Sequence, residues 1–229
     1  MDLPCYDEFM CGRGRKDLTW RDLAALYRAQ YKPDLSHRYE DPQLEIRPTE
    51  TMTVLRASGE SRTLSPMRWG LVPSFADGLK VGSKMFNARV ETAPMKPSFR
   101  KAWRNRRCLV LLDGFYEWSG EGKARHPNLV HLENDGPLPM AGLWESWVDK
   151  ATGEVVESCT ILTREAAGPL STIHDRMPII LRDDVLDAWL DPTSETFATA
   201  LESYVSDELL IEPIARIGPA PIPVQGTLF

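Results

Sequence analysis

Three apolar runs in the middle of the chain constrain its fold more than any other feature. They are "RCLVLLDGFYEW" at 107–118, "LPMAGLWESWV" at 138–148 and "VVESCTILT" at 155–163. Their β-branched, leucine and aromatic residues suit a pleated surface that is half or wholly buried. The first run breaks at a glycine and resumes as an aromatic-rich strand, and the turn "DKATGE" parts the other two. Upstream, 51–56 is β-prone and Ala57-Ser58-Gly59-Glu60 reads as a hairpin connection. Helical spacing is confined to short pieces at 17–31, 98–105, 182–190 and 194–204. Thr19 with Asp22 supplies a capping signal for the first, and Ser98 for the second. Many short strands with few helices predict one α+β domain, with a mixed, barrel-like β-sheet and short peripheral helices. The end, "IGPAPIPVQGTLF", lacks helical period and is expected on the surface.

Function classes fall away by absence of their signatures. There is no apolar run long enough for a membrane span and no secretory signal, so the expectation is a cytoplasmic protein. A Rossmann glycine fingerprint, a P-loop and a G-x-S-x-G elbow are all missing, and no cofactor is expected. The cysteines at 5, 11, 108 and 159 have no zinc spacing. Cys108 and Cys159 sit in strand-like apolar runs and read as buried thiols, whereas Cys5 and Cys11 lie in a polar start region. The formal charge of -6 argues against broad binding to duplex DNA, which needs many cations on phosphates. A local basic groove stays open, because arginines crowd at 13, 15, 100, 104, 106 and 107 and lysines at 16, 96 and 101.

Three polar stretches could carry chemistry. In "MFNARVETAP" (85–94), Asn87, Arg89 and Glu91 point the same way if the stretch is extended. They then form a wetted strand face or aim at a ligand. In "DGFYEW" (113–118), Glu117 lies among aromatic residues, which disfavour its charged form and suit proton transfer. In "IHDRMP" (173–178), His174 is a candidate proton shuttle or a solvated loop residue. A thiol chemistry pairing Cys11 with His174 is also open.

The order of motifs adds a resemblance. "MCGR" is followed by Pro48-Thr49, "WGLVPSF", "FNARVET", "RRCLVLLDGFYEW", "AGLW" and "IHDRMP". This order resembles the SOS-response-associated peptidase (SRAP) family, whose members process abasic sites, over about residues 10–215. The resemblance implies a single compact α+β domain at 11–215, with a leader or misassigned start at 1–10 and a surface or flexible tail at 216–229. It implies a partner, single-stranded DNA containing abasic sites, and a monomer without membrane contact, in the cytoplasm of a bacterium at its nucleoid. Cys11 matches the family's nucleophile, which becomes the first residue and closes a thiazolidine ring on the sugar aldehyde. Asn87 and Arg89 match the lesion- and phosphate-binding pair, Glu117 the carboxylate, and His174 the histidine. Arg13 and Pro48 join Arg89 as DNA contacts. Self-processing peptidase and AP-lyase activities are further implications. A thiol peptidase without DNA crosslinking, and a non-catalytic single-stranded DNA-binding module, are the alternatives.

The chemistry sets a condition on the start of the chain. A terminal α-amine has a pKa of about 7.7–8.0 and is partly neutral at pH 7, whereas an amide nitrogen does not form an imine. In the sequence as written, Met10 acylates Cys11. The working molecule is therefore expected to start at Cys11, through initiation at Met10 or loss of residues 1–10, unless crosslinking has been lost. Two departures from the family pattern stand out. Glu45 and Arg47 replace an asparagine and an alanine before Pro48, and the tail lacks the usual elements. Glu45 would repel phosphate unless Arg47 pairs with it. Trp69 is expected in the core, and Phe75 could offer a stacking surface.

Overall fold

The computed structural model describes residues 12–31, 41–59 and 61–218. Cys5, Cys11, the 1–10 leader and most of the 216–229 tail lie outside the described residues.

Five strands close a barrel: β3 (Thr51–Ser58), β4 (Ser61–Trp69), β6 (Arg107–Leu112), β9 (Leu138–Val148) and β10 (Val155–Glu165). β3 pairs antiparallel with β4 from Thr51↔Arg68 to Ser58↔Ser61, and with β6 through Val54↔Val110. β6 pairs β9 along its length, and β9 pairs β10 from Val155↔Val148 to Ile161↔Gly142. The parallel pair Cys159↔Trp69 between β10 and β4 completes the ring. The expected hairpin joins β3 to β4, and Gly59 has φ +59.

All six residues of β6 are buried, because the strand has apolar neighbours on both faces. Leu109 and Leu111 join Leu55, Leu64, Ala141, Leu143 and Leu162 on the side covered by helices. Cys108, Val110 and Leu112 join Val54, Met67, Trp69, Met140, Cys159 and Ile161 on the other. This period-two division explains why the run "CLVLL" carries no polar residue. Cys108 and Cys159 are buried as expected, and burial pushes both thiols far above the range of useful nucleophiles.

A second sheet runs in the order β12 (Leu209–Pro213), β8 (His126–Leu132), β7 (Gly114–Ser119), β1 (Gly14–Lys16), β2 (Gln43–Ile46). Leu209, Val130, Phe115 and Ile46 from its strands pack into the same cluster as Trp69. The α+β, barrel-like expectation holds.

The helices are shorter than their sequence periodicity predicts. α1 (Trp20–Tyr27) carries the Thr19/Asp22 capping box but stops at Arg28, whose left-handed φ of 50 turns the chain, and Gln30 then bridges to Thr63 of β4. α2 (Arg100–Asn105) starts after Phe99, and Ser98 is not its cap. The two downstream stretches reduce to a 3-10 turn at Asp183–Val185, α3 (Leu186–Leu190) and α4 (Phe197–Ala200). α1 buries Trp20 and α3 buries Trp189 in the core, α2 and α4 pack the partly buried Trp103 and Phe197 against it, and packing rather than length holds them.

The predicted basic crowd is dispersed. Lys16 is fully buried with its Nζ donating to Leu18 O, and Arg107 is buried with its guanidinium donating to the carbonyls of Trp189, Trp103 and Arg104. Arg15 pairs with Asp17 and Arg106 with Glu145.

Candidate functional site

β5 (Asn87–Arg89) runs parallel to β10, with Asn87 opposite Ile161 and Arg89 opposite Thr163. It is shorter than predicted: after Arg89 the chain turns, with Ala93 N donating to Arg89 O at 2.9 Å. Asn87 and Arg89 keep the shared face that alternation predicts, but Glu91 leaves it for the turn. β11 (Arg176–Pro178) pairs with the same end of β10, Glu165 opposite Arg176. Arg176 grips Glu91 through two bonds, Nη1 to Oε1 at 2.7 Å and Nη2 to Oε2 at 2.9 Å, and Nη2 also reaches Thr163 O at 2.7 Å. Arg176 thereby holds Glu91 below the usual carboxylate range.

These elements wall a cleft of about 300 Å³ lined by Lys84, Asn87, Arg89, Lys96, Thr163 and Arg176, with Met85 and Phe99 as apolar surface. Four cations line it, and Glu91 pairs with Arg176 and lies in the field of Arg89. A concave, cation-lined surface attracts phosphate. A wider, more apolar groove of about 660 Å³ adjoins it, sharing Met85 and Ser98. Phe75, 63% exposed, stands in that groove with Leu79 and Val81. The loop leading here is tightly folded: Gly70 (φ +123) and Gly82 face each other so closely that a Cβ on either would strike the other's carbonyl.

His174 sits one residue before β11's neighbour Asp175. Its Nδ1 accepts from Arg176 N at 2.9 Å and lies 2.9 Å from Asp175 Oδ1. Burial lowers the imidazole pKa, Arg176 lowers it further, and Asp175 opposes. The ring is therefore neutral at pH 7. A backbone N–H only donates, so Nδ1 is the acceptor and Nε2 carries the proton.

A second group is built on the smaller sheet. Glu117 is 5% exposed and faces Asn128 of β8 in register, while Asn128 Nδ2 donates to Glu117 O and Ser119 Oγ. β1 lies along β7 through Gly14↔Phe115 and Arg15↔Gly114, and Tyr116 N donates to Arg13 O at 2.9 Å. Arg13 is thereby held beside Tyr116, the residue before Glu117, and Gly12 precedes Arg13 in the chain. β2 flanks β1 on its other side, with Ile46 opposite Gly14. Glu45 on β2 binds two arginines: Arg13 Nη1 at 2.5 Å from Oε1, and Arg47 through Nε to Oε1 at 3.1 Å and Nη2 to Oε2 at 2.9 Å. Arg47 and Arg13 hold the Glu45 carboxyl below its ordinary range despite partial burial. Pro48 follows, half-buried, on the turn after β2.

Trp69 joins the two groups. Its carbonyl accepts from Thr49 N at 2.7 Å, beside Pro48, and its indole Nε1 donates to Phe86 O at 2.9 Å, beside Asn87. It is fully buried, as the sequence predicts, and meets Phe86 edge-to-face. Thus Asn87 and Arg89 share the cleft, His174 is bound to its rim through Arg176, and Glu117, Arg13 and Pro48 belong to the second group. Sequence reasoning did not assign Arg176, Lys84 or Thr163. Arg176 follows His174 by one strand period in "IHDRMP", and that spacing was the available signal.

The described site therefore consists of a closed barrel with an appended sheet, a cation-lined cleft on the first and a buried carboxylate, Glu117, on the second. The family profile described as SOS response associated peptidase (SRAP) matches residues 10–217, and the chain belongs to that family. It is 33% identical over 205 residues to "Abasic site processing protein YoqW" of Bacillus subtilis (strain 168), covering 87% of this chain and 90% of that protein. It is 29% identical over 185 residues to "Abasic site processing protein YedK" of Escherichia coli (strain K12), covering 79% of each. A crystal structure of a Bacteroides thetaiotaomicron protein superposes with a TM-score of 0.79 at 26% identity, covering 89% of this chain and 92% of that one. No helix among the described residues is long and apolar enough to cross a membrane.

Proposed function

We propose that this chain captures abasic sites in single-stranded DNA by forming a covalent bond through Cys11. The observation that supports the reading is the hydrogen bond from Tyr116 N to Arg13 O, which holds the chain two residues after Cys11 beside the residue that precedes the buried Glu117. In the working molecule the α-amine of Cys11 is free. It adds to the aldehyde carbon of the ring-opened sugar, and loss of water leaves an imine. The Cys11 thiol then adds to the imine carbon, and its proton passes to the nitrogen. Closure is intramolecular, so proximity favours it strongly.

Glu117 carries protons to and from the amine and the departing oxygen, a task that burial among aromatic residues suits. His174, neutral with its proton on Nε2, donates toward the sugar oxygen during ring opening. Asn87 holds the sugar, Arg89 takes a flanking phosphate, and Arg13 a second. Pro48 wedges against an unstacked base, and exposed Phe75 offers a face on which a base stacks. A monomer is sufficient for this scheme. Removal of residues 1–10 by the same thiol, carboxylate and imidazole is a second activity of the proposal, as is strand cleavage through the imine.

The test is to incubate a chain that begins at Cys11 with an abasic single-stranded oligonucleotide and analyse it under denaturing conditions. The expected product has the summed mass of the two less one water. An equal yield from a chain that keeps residues 1–10 after the reaction overturns the reading. For self-processing, wild type should acquire a new N-terminus at Cys11 that Glu117→Gln does not.

A further inference from the structure

The small sheet carries a charge arrangement that the crosslinking chemistry does not require. Glu45 uses both carboxylate oxygens on Arg47 and shares one of them with Arg13. All three side chains retain solvent contact, 26% for Glu45 and Arg13 and 56% for Arg47. The trio thus presents one net positive charge where its two guanidiniums alone would present two. Arg13 is placed independently of Glu45, because its carbonyl accepts from Tyr116 N and β1 is registered on β7. The backbone of Arg13 is therefore fixed at the start of β1 whether or not the carboxylate holds its side chain.

We propose that Glu45 is a built-in competitor for DNA phosphate, which occupies Arg13 and Arg47 and sets how tightly the strand edge holds the backbone beside the Cys11 end. The inference rests on the DNA-binding reading of this site. A phosphate reaching Arg13 must displace the carboxylate or share the guanidiniums with it. Either way, affinity at this end of the strand is lower than Arg13 would give without Glu45. In the large-sheet cleft the carboxylate, Glu91, is clamped by two bonds from Arg176 and is only an electrostatic neighbour of Arg89, and among the described residues no ion pair is seen on the two lysines of its lining. Glu45 therefore shifts the balance of phosphate binding toward the cleft, and with it the dependence on an abasic site rather than on any single strand.

The experiment compares wild type with Glu45→Gln on fluorescent single-stranded oligonucleotides, intact and abasic, by anisotropy across a salt series. Crosslinking is blocked by Cys11→Ser in both chains. Glu208→Gln is the control for net charge: it also unpairs an arginine, Arg182, but sits by β12, at the opposite edge of the same sheet from β2. Glu45→Gln is expected to bind intact strands roughly five-fold tighter at ~50 mM salt, to steepen the log–log salt slope by about 0.7, and to narrow the preference for the abasic strand. Glu208→Gln should stay near wild type. Unchanged or weaker binding by Glu45→Gln, or an equal gain from Glu208→Gln, overturns the proposal. Glu45→Ala, which cannot hydrogen-bond the arginines, should follow Glu45→Gln; if it alone loses affinity while Glu45→Gln is unchanged, Glu45 merely positions the arginines and competition is refuted. Failure of wild type itself to bind either strand strikes at the DNA reading, whereas binding by wild type without a Glu45 effect strikes at this inference alone.

Discussion

The cleft on the large sheet and the strand edge on the small sheet handle charge in opposite ways. In the cleft, four cations line one concavity and the nearby carboxylate is bonded to Arg176. At the edge, arginines are matched to carboxylates, and Glu117 is buried where solvent cannot level its protonation. Cations in a concavity attract a polyanion, while a buried carboxylate suits proton transfer. On the proposed reading the cleft supplies most of the phosphate binding and the small sheet the carboxylate, and the two regions meet through the core they share.

The sharpest way to break this division is at the chemical group. In a chain beginning at Cys11, Cys11→Ser should abolish the denaturation-resistant product while leaving affinity within about two-fold, because phosphate contacts rather than the thiol hold the strand. A denaturing gel beside an anisotropy titration checks both. Glu117→Gln should slow crosslinking by roughly 10²–10⁴-fold, the usual worth of a positioned proton-transfer group. Single-turnover rates measure it, and a change of affinity without a change of rate would move Glu117 to the binding side.

The join between the regions is next. Trp69→Phe removes the donor that satisfies Phe86 O and leaves part of the indole volume empty, at a cost of about 2 kcal/mol. Urea unfolding should show a lower midpoint. Because Thr49 and Phe86 are both anchored through Trp69, the variant should also weaken binding at both regions together. Loss confined to one region would dissolve the link. Arg89→Ala is a smaller change, lowering affinity about ten-fold and flattening the salt slope by about 0.7, with little effect on the rate once the strand is bound.

The sequence disclosed the strands and the chemical groups better than it disclosed how they meet. The runs at 107–118, 138–148 and 155–163 are apolar enough to require strands at least half buried, and all three fall in sheets. Trp69 reads as core, and Thr19 with Asp22 as a cap, from local chemistry alone. Ring closure between β4 and β10 joins segments about ninety residues apart, and no local pattern encodes it. The same long-range pairing ends β5 at Arg89, so that Glu91, which alternation puts beside Asn87, serves Arg176 instead. The pairing of Arg47 with Glu45 was foreseeable because they sit two apart on one strand face. Arg13 joining them required knowing that β1 lies between β2 and β7. Helix lengths were overread because periodicity persists in stretches where the chain has already turned to pack against the barrel.

The smallest effect tests whether His174 belongs to the cleft's rigid rim. Burial lowers its folded pKa below the ordinary imidazole value of about 6.5, so the unfolded chain binds a proton at higher pH than the folded chain does. Its contribution to stability is therefore complete above the ordinary value. It is lost as pH falls through that value toward the folded one. His174→Asn keeps an acceptor in place of Nδ1 for Arg176 N–H but cannot titrate. Between pH 7.5 and pH 5 the urea midpoint of wild type should therefore fall further than that of His174→Asn. Because the side chain is partly solvated, the gap between the two should be small. A parallel fall in both proteins would mean that His174 is wetted in solution, and that the rim loosens where the cleft does not.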